Sequence, residues 1–275
     1  MKRKYILFTT LLLLLSVNIF SIDASAKNID TDDNISLWIG DSRTVLIYQD
    51  LNMKSKKNVS YRSKAKIERF NSRSFLMLKY RDCYAARGIG YDFIKKSIPK
   101  IKSIVKKKGC QNIVLSPSVN DIYNTRLNSF YYYNNGKRVP ASPEKLAKKY
   151  WKLFKKELIK KYKDNHFYIL SINPVYRPLK YQGNTVTNEK IVRFNKTMKS
   201  LITKSSLGNV SYVDTYKNIF KKQGLIHKKS AYRYALKYRT TNVRYMRESS
   251  SYQLHYSDKV DKKIYKYVNG FIDKT

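Results

Sequence analysis

Short apolar runs alternate along the chain with longer stretches whose apolar residues recur every three or four positions. That pattern predicts an α/β fold with a mostly parallel sheet. SLWIG at 36–40 reads as a first strand and CYAARG at 83–88 as a weaker second. YDFIKKSIPKIKSIVKKKG (91–109) follows as a helix closed by Gly109, with Pro99 marking a kink or a split. NIVLSPSV (112–119), HFYILSINP (166–174) and VSYVDTY (210–216) read as the third, fourth and fifth strands. SPEKLAKKYWKLFKKELIKKY (142–162) opens as a helix on a Ser142 cap with Pro143 at the first helical position. Its Leu146, Tyr150, Leu153, Phe154 and Leu158 recur at helical spacing. TNEKIVRFNKTMKSLI (187–202) and SDKVDKKIYKYVNGFI (257–272), the latter capped by Ser257, complete the helices.

Two segments break this rhythm. Residues 50–82 and 225–252 are basic, carry tyrosines and lack clean periodicity, so they read as insertions or long loops in a single domain. The cluster FYYYNN at 130–135 either packs against the domain or lines a sugar-binding surface. At the N-terminus, Lys2, Arg3 and Lys4 precede an apolar run (5–20) and the small residues Ala24-Ser25-Ala26. This predicts a signal peptide over 1–26, an uncleaved anchor being the other use of such a segment, and one domain over 27–275. No later stretch is long and apolar enough to span a bilayer.

Charge changes the picture. The chain carries 57 Lys and Arg against 19 Asp and Glu, a formal net charge of +38. An exported protein this basic is drawn to polyanions such as anionic cell-wall polymers, and no groove-reading motif points to specific nucleic-acid recognition. The two cysteines, Cys83 and Cys110, either form one disulfide or remain buried thiols. The three histidines (His166, His227 and His255) are far apart in sequence, and no cluster has metal-ligand spacing, so neither metal nor cofactor is expected.

In an open α/β sheet ligands bind at the carboxyl ends of the strands, so the residues just past each strand are the informative ones. Asp41-Ser42-Arg43 follows the first strand. There Ser42 is either a nucleophile or the cap of the next helix, and spacing alone favours the cap. Gly88-Ile89-Gly90 follows the second strand, where glycines permit close backbone approach and an exposed N–H. Ser118-Val119-Asn120-Asp121 follows the third, offering an amide donor, and His255 stands just before the last helix. A hydroxyl, a backbone N–H, a side-chain amide and an imidazole thus fall at one edge of one sheet.

The blocks IGDSRT, GIG, SVND and LHYS, with INPV and the segments that follow it, resemble the successive blocks of the SGNH (GDSL-like) hydrolases, especially secreted ones of low-GC Gram-positive bacteria. The resemblance runs over roughly residues 36 to 48 and 83 to 272. It implies a three-layer α/β/α domain with a flavodoxin-like, five-stranded parallel sheet that hydrolyses esters. Ser42 would be the nucleophile and His255 its base. The oxyanion donors would be the Ser42 N–H, Gly90 (or Gly88) and Asn120.

One block departs from the pattern. The family places an aspartate three residues before its histidine, where this chain has Tyr252, a phenol without charge at neutral pH. That acid normally orients the imidazole and is worth about four orders of magnitude in turnover. Three readings follow: a dyad oriented by a backbone carbonyl, a substitute acid such as Glu248 or Asp258, or a domain that binds without hydrolysis. A milder departure is Ser118, where glycine is common. The leading expectation is a secreted or wall-associated esterase that removes small acyl groups from envelope or extracellular polysaccharide. The competing one is a basic protein that holds anionic wall polymers. Transfer of the acyl group to another alcohol is not distinguished from hydrolysis.

Overall fold

The computed structural model describes residues 36–52, 65–70, 73–80, 83–86, 90–108, 111–123, 131–134, 137–181, 184–233 and 254–275. All lie in one compact unit, Ile35–Thr275. The leader expected over 1–26 and Cys110 lie outside the described residues, while Cys83 is buried.

Five parallel strands form the centre. β1 (Ser36–Gly40) lies between β4 (Cys83–Ala86) and β5 (Asn112–Leu115), and β8 (His166–Leu170) and β11 (Val210–Val213) continue outward from β5. In chain order the parallel strands run 2-1-3-4-5, the flavodoxin-like arrangement that places a switch point beside β1.

Within the segment expected as an insertion or long loop over 50–82, two described stretches extend this sheet. β2 (Ala65–Phe70) and β3 (Arg73–Tyr80) pair antiparallel with each other, and β3 pairs antiparallel with β4. The sheet therefore has seven strands, five of them parallel. A second departure is the hairpin of β6 (Tyr131–Asn134) and β7 (Lys137–Pro140). Its strands are separated in sequence by Asn135-Gly136, a pair favoured in two-residue hairpins. A third small ribbon pairs β9 (Leu179–Tyr181) with β10 (Asn184–Val186).

Alternate residues of the central strands feed opposite faces, as pleating requires. Leu37, Ile39, Ile113, Leu115, Phe167 and Ile169 pack on one side under α2 (Tyr91–Lys108), α4 (Pro143–Phe154) and α5 (Asn188–Thr203). Trp38, Val114, Tyr168 and Leu170 pack on the other under α1 (Ser42–Asn52) and α6 (Asp258–Ile272). The fold is thus a three-layer α/β/α domain.

The helices begin largely as their caps dictate. Ser142 accepts from the Lys145 N–H at 3.3 Å with Pro143 next in line, and Thr187 does the same for Lys190. All five residues expected on the inner face of α4 and its continuation are buried. That continuation, Lys155–Ile159, widens into a π-helical turn. Pro99 neither ends nor splits α2, since it stands on the exposed side of a continuous helix. Ser257 occupies the cap position of α6, but among the described residues its hydroxyl makes no capping bond, and the exposed Asp258 places a carboxylate in the first turn instead.

Candidate active site

The carboxyl end of β1 carries the site. Gly40 is where the strand turns into α1, and a Cβ there would lie 2.1 Å from Thr44 Oγ1 and 2.9 Å from Ser116 Cβ. Only glycine lets strand and helix approach this closely. Asp41, rather than Ser42, caps α1: its carbonyl accepts from Val45 N–H at 3.0 Å and its Oδ1 from Arg43 N–H at 2.9 Å. This frees the Ser42 hydroxyl, which lies 3.0 Å from His255 Nε2 across 213 residues of chain. Ser42 is almost fully buried at the positive end of the α1 dipole, where developing negative charge is favoured.

The flanking loops are tied to this turn by a buried polar network. Ser118 Oγ donates to Asp41 Oδ2 at 2.7 Å and accepts from the Asn120 N–H at 3.1 Å. The next residue, Asp121, accepts from the Tyr91 N–H at 3.1 and 3.0 Å, immediately past Gly90, and from the Tyr150 hydroxyl. Tyr150 O in turn accepts from the Ser118 N–H at 3.2 Å. Gly90 and Asn120 are both buried after β4 and β5, the two neighbours of β1, Gly90 just before α2 and Asn120 as the first residue of the short helix α3 (Asn120–Tyr123). Gly88 lies outside the described residues.

Electrostatics in this network follow from burial. Desolvation raises the Asp41 carboxyl against the opposing pull of the Arg43 guanidinium and the Ser118 hydrogen bond. The Asp121 carboxyl is pushed up to about 7 by burial, while bonds from Tyr150 and Tyr91 pull it down. Burial, then the charge of Asp121, keeps Tyr150 a phenol.

His255 is carried between two anchors. On one side Tyr232 and Tyr256 form an antiparallel bridge, with Arg233 N–H donating to His255 O at 3.0 Å and Ser257 N–H to Ala231 O at 3.0 Å. Residues 225–233, within the second expected loop, thus contain ordered turns and a short 3₁₀ helix. On the other side Arg43, only 7% exposed, donates from Nε to Leu254 O at 3.1 Å. Its two terminal nitrogens reach Asn173 O at 2.7 Å and Pro174 O at 3.1 Å, and its guanidinium lies 4.9 Å from the Tyr256 ring centre. Tyr256 donates to the same Pro174 carbonyl at 2.6 Å.

Of the acids considered for orienting His255, Asp258 has its carboxylate on Arg233 at 3.3 Å and does not bond the imidazole. Glu248 and Tyr252 lie outside the described residues. Arg233 also grips two buried carboxylates, Asp50 at the end of α1 and Asp261 on α6, the latter at 3.1 Å.

A second serine–histidine contact tests the meaning of the first. His166 Nε2 lies 2.9 Å from Ser211 Oγ, but His166 opens β8 at the amino end of the sheet. Burial lowers its pKa from the ordinary histidine value. That pair lacks the loops carrying Gly90 and Asn120. Position at the carboxyl edge, rather than the serine–histidine contact alone, is what marks Ser42. Among the described residues no cluster of three or more His, Cys, Asp or Glu could hold a metal, and no helix is long and apolar enough to cross a membrane.

The same fold occurs in a provisionally named platelet activating factor from Streptococcus pneumonia, at 17% identity and a TM-score of 0.51, covering 89% of this chain and 86% of that one. A provisionally named acylhydrolase from Bacteroides fragilis shares 12% identity, with a TM-score of 0.49 over 91% of this chain and 92% of that one. A carbohydrate esterase family 3 structure from Talaromyces cellulolyticus shares 10%, with a TM-score of 0.48 over 87% and 96%. At such identities the likeness is one of fold. No protein-family model and no curated protein matches the sequence.

Proposed function

We propose that this chain is a serine esterase of the SGNH type, and the observation that carries the reading is the 3.0 Å approach of Ser42 Oγ to His255 Nε2 at the carboxyl edge of β1. In the first half-reaction His255 takes the Ser42 proton as Oγ attacks the ester carbonyl. The resulting oxyanion meets the Ser42 and Gly90 N–H groups and the Asn120 amide. His255 then protonates the departing alcohol, leaving an acyl-serine. Water attacks that ester with His255 again as base, releasing the carboxylic acid and restoring Ser42.

The substrate we propose is a small acyl ester, such as acetyl, on an anionic envelope or extracellular carbohydrate polymer. The net charge of +38 favours a polyanionic carrier over a neutral lipid, and the basic, apolar leader sequence suits export to the wall. The second reading, a polymer-binding protein on the same fold, is favoured by Tyr252 standing where the orienting acid is expected.

Ester release from p-nitrophenyl acetate and from an O-acetylated anionic polymer separates the two. An esterase loses turnover in Ser42→Ala and gains it in Tyr252→Asp. Turnover equal in wild type and Ser42→Ala, with polymer retention intact in both, establishes the binding protein.

A further inference from the structure

We infer that Arg43 is a positioning residue for the base: its guanidinium holds the segment bearing His255 against the nucleophile turn. The inference rests on the esterase reading. Consecutive residues of the nucleophile turn meet consecutive residues of the base segment in reverse order, Ser42 to His255 at 3.0 Å and Arg43 to Leu254 at 3.1 Å. The carbonyl before His255 and the ring after it, that of Tyr256 at 4.9 Å, are thus both held by one side chain. The same guanidinium closes on Asn173 O and Pro174 O, in the loop that follows β8. Three of its nitrogens therefore fix three carbonyls from two segments about 130 and 211 residues away in sequence, a task suited to a planar, permanently charged fork.

This arrangement bears on the tyrosine at 252. An Asp-x-x-His pair places its base through the imidazole itself. Arg43 acts on another part of the same segment: it places the backbone on which the imidazole is mounted. Because Arg43 directly follows Ser42, any shift of the nucleophile turn is transmitted to the base segment, and the pair moves together. Burial makes the arrangement costly to imitate. Truncation would leave three carbonyls without this donor, and lysine offers one nitrogen where three are used.

The test compares Arg43→Ala and Arg43→Lys with wild type and Ser42→Ala, on chains verified as folded by near-UV circular dichroism. With p-nitrophenyl acetate, kcat is expected to fall about 100-fold and KM to change by less than about twofold, the signature of a misplaced base. Added guanidinium ion is expected to restore part of kcat in Arg43→Ala but none in Ser42→Ala. A crystal structure of whichever variant folds is expected to show His255 beyond hydrogen-bond reach of Ser42. Unchanged kcat, or His255 still seated on Ser42 in that crystal, overturns the inference. If wild-type turnover does not depend on Ser42, the esterase reading falls, and the crystallographic arm still decides the role of Arg43.

Discussion

Ser118 and Asp41 share a 2.7 Å hydrogen bond beneath the turn that bears Ser42, across 77 residues of chain. The bond explains why a hydroxyl is accommodated where the resemblance leads one to expect glycine. Ser118 is fully buried, and its Oγ both steadies the carboxylate that caps α1 and receives the Asn120 N–H. Replacing it with alanine removes the donor to a buried carboxylate and the acceptor of a buried N–H. Ser118→Ala is expected to lose about 1–3 kcal/mol of stability, measured by urea unfolding. It should also lower kcat by about tenfold as the Asn120 loop loosens. Wild-type values in both measurements would show that the bond is incidental.

Asp121 links pH to stability. Its carboxyl is pushed from 3.8 to about 7 by burial, so the folded chain holds this proton more tightly than the unfolded one. The contribution to folding is complete below about pH 4 and is lost as pH rises through about 7. Asp121→Asn keeps an acceptor for Tyr91 and removes the titration. Relative to wild type it should gain on the order of 4 kcal/mol between about pH 4 and pH 8, read from denaturant melts. A difference that does not vary with pH would remove Asp121 as the group responsible.

Arg233 faces the carboxylates of Asp50, Asp258 and Asp261, and two of these are buried. Burial raises the Asp261 carboxyl well above its ordinary value, helped by its hydrogen bond with Asp50, and Arg233 opposes this. Removing the cation in Arg233→Met should destabilise the chain by about 3–5 kcal/mol near neutral pH. The deficit should shrink in mild acid as Asp261, whose carboxyl burial raises, takes up its proton. A constant deficit from acid to neutral pH would argue for lost packing instead.

Gly40 makes a purely steric prediction. Gly40→Ala would drive its methyl into Thr44 Oγ1 and Ser116 Cβ, costing about 1–3 kcal/mol or more. Pairing it with Thr44→Ala should recover only part of the loss, because the Ser116 contact remains. Full recovery in thermal melts would place the whole clash at Thr44.

Much of this architecture is legible in the sequence because it is local. Five buried strands announce themselves as apolar runs, and Ser142-Pro143 and Thr187 mark helix starts by short-range chemistry. The β2–β3 extension is not legible in the same way. RSFLMLKY has a continuous apolar stretch that suits a strand or a buried helix turn equally, and only pairing with β4 decides it. At the site, Ser42, Gly90 and Asn120 stand out by residue type and by their place after strands, and His255 as an imidazole just before the last helix. Arg43 does not, because its three acceptors are backbone carbonyls, which every sequence supplies in equal number. Tyr150 is hidden too: its helical spacing explains its burial, and nothing local indicates that its hydroxyl reaches Asp121.

The separation of 213 positions between Ser42 and His255 has a kinetic meaning. The turn bearing Ser42 is made as soon as β1 and α1 form, but His255 arrives only when α6 packs beside α1 and the bridge between Tyr232 and Tyr256 closes. Docking contacts of such long range are late and slow events in folding. If the chain has the proposed esterase activity, ester turnover during refolding is expected to time the final closure of the domain and to lag behind the appearance of helical circular dichroism by the duration of that step.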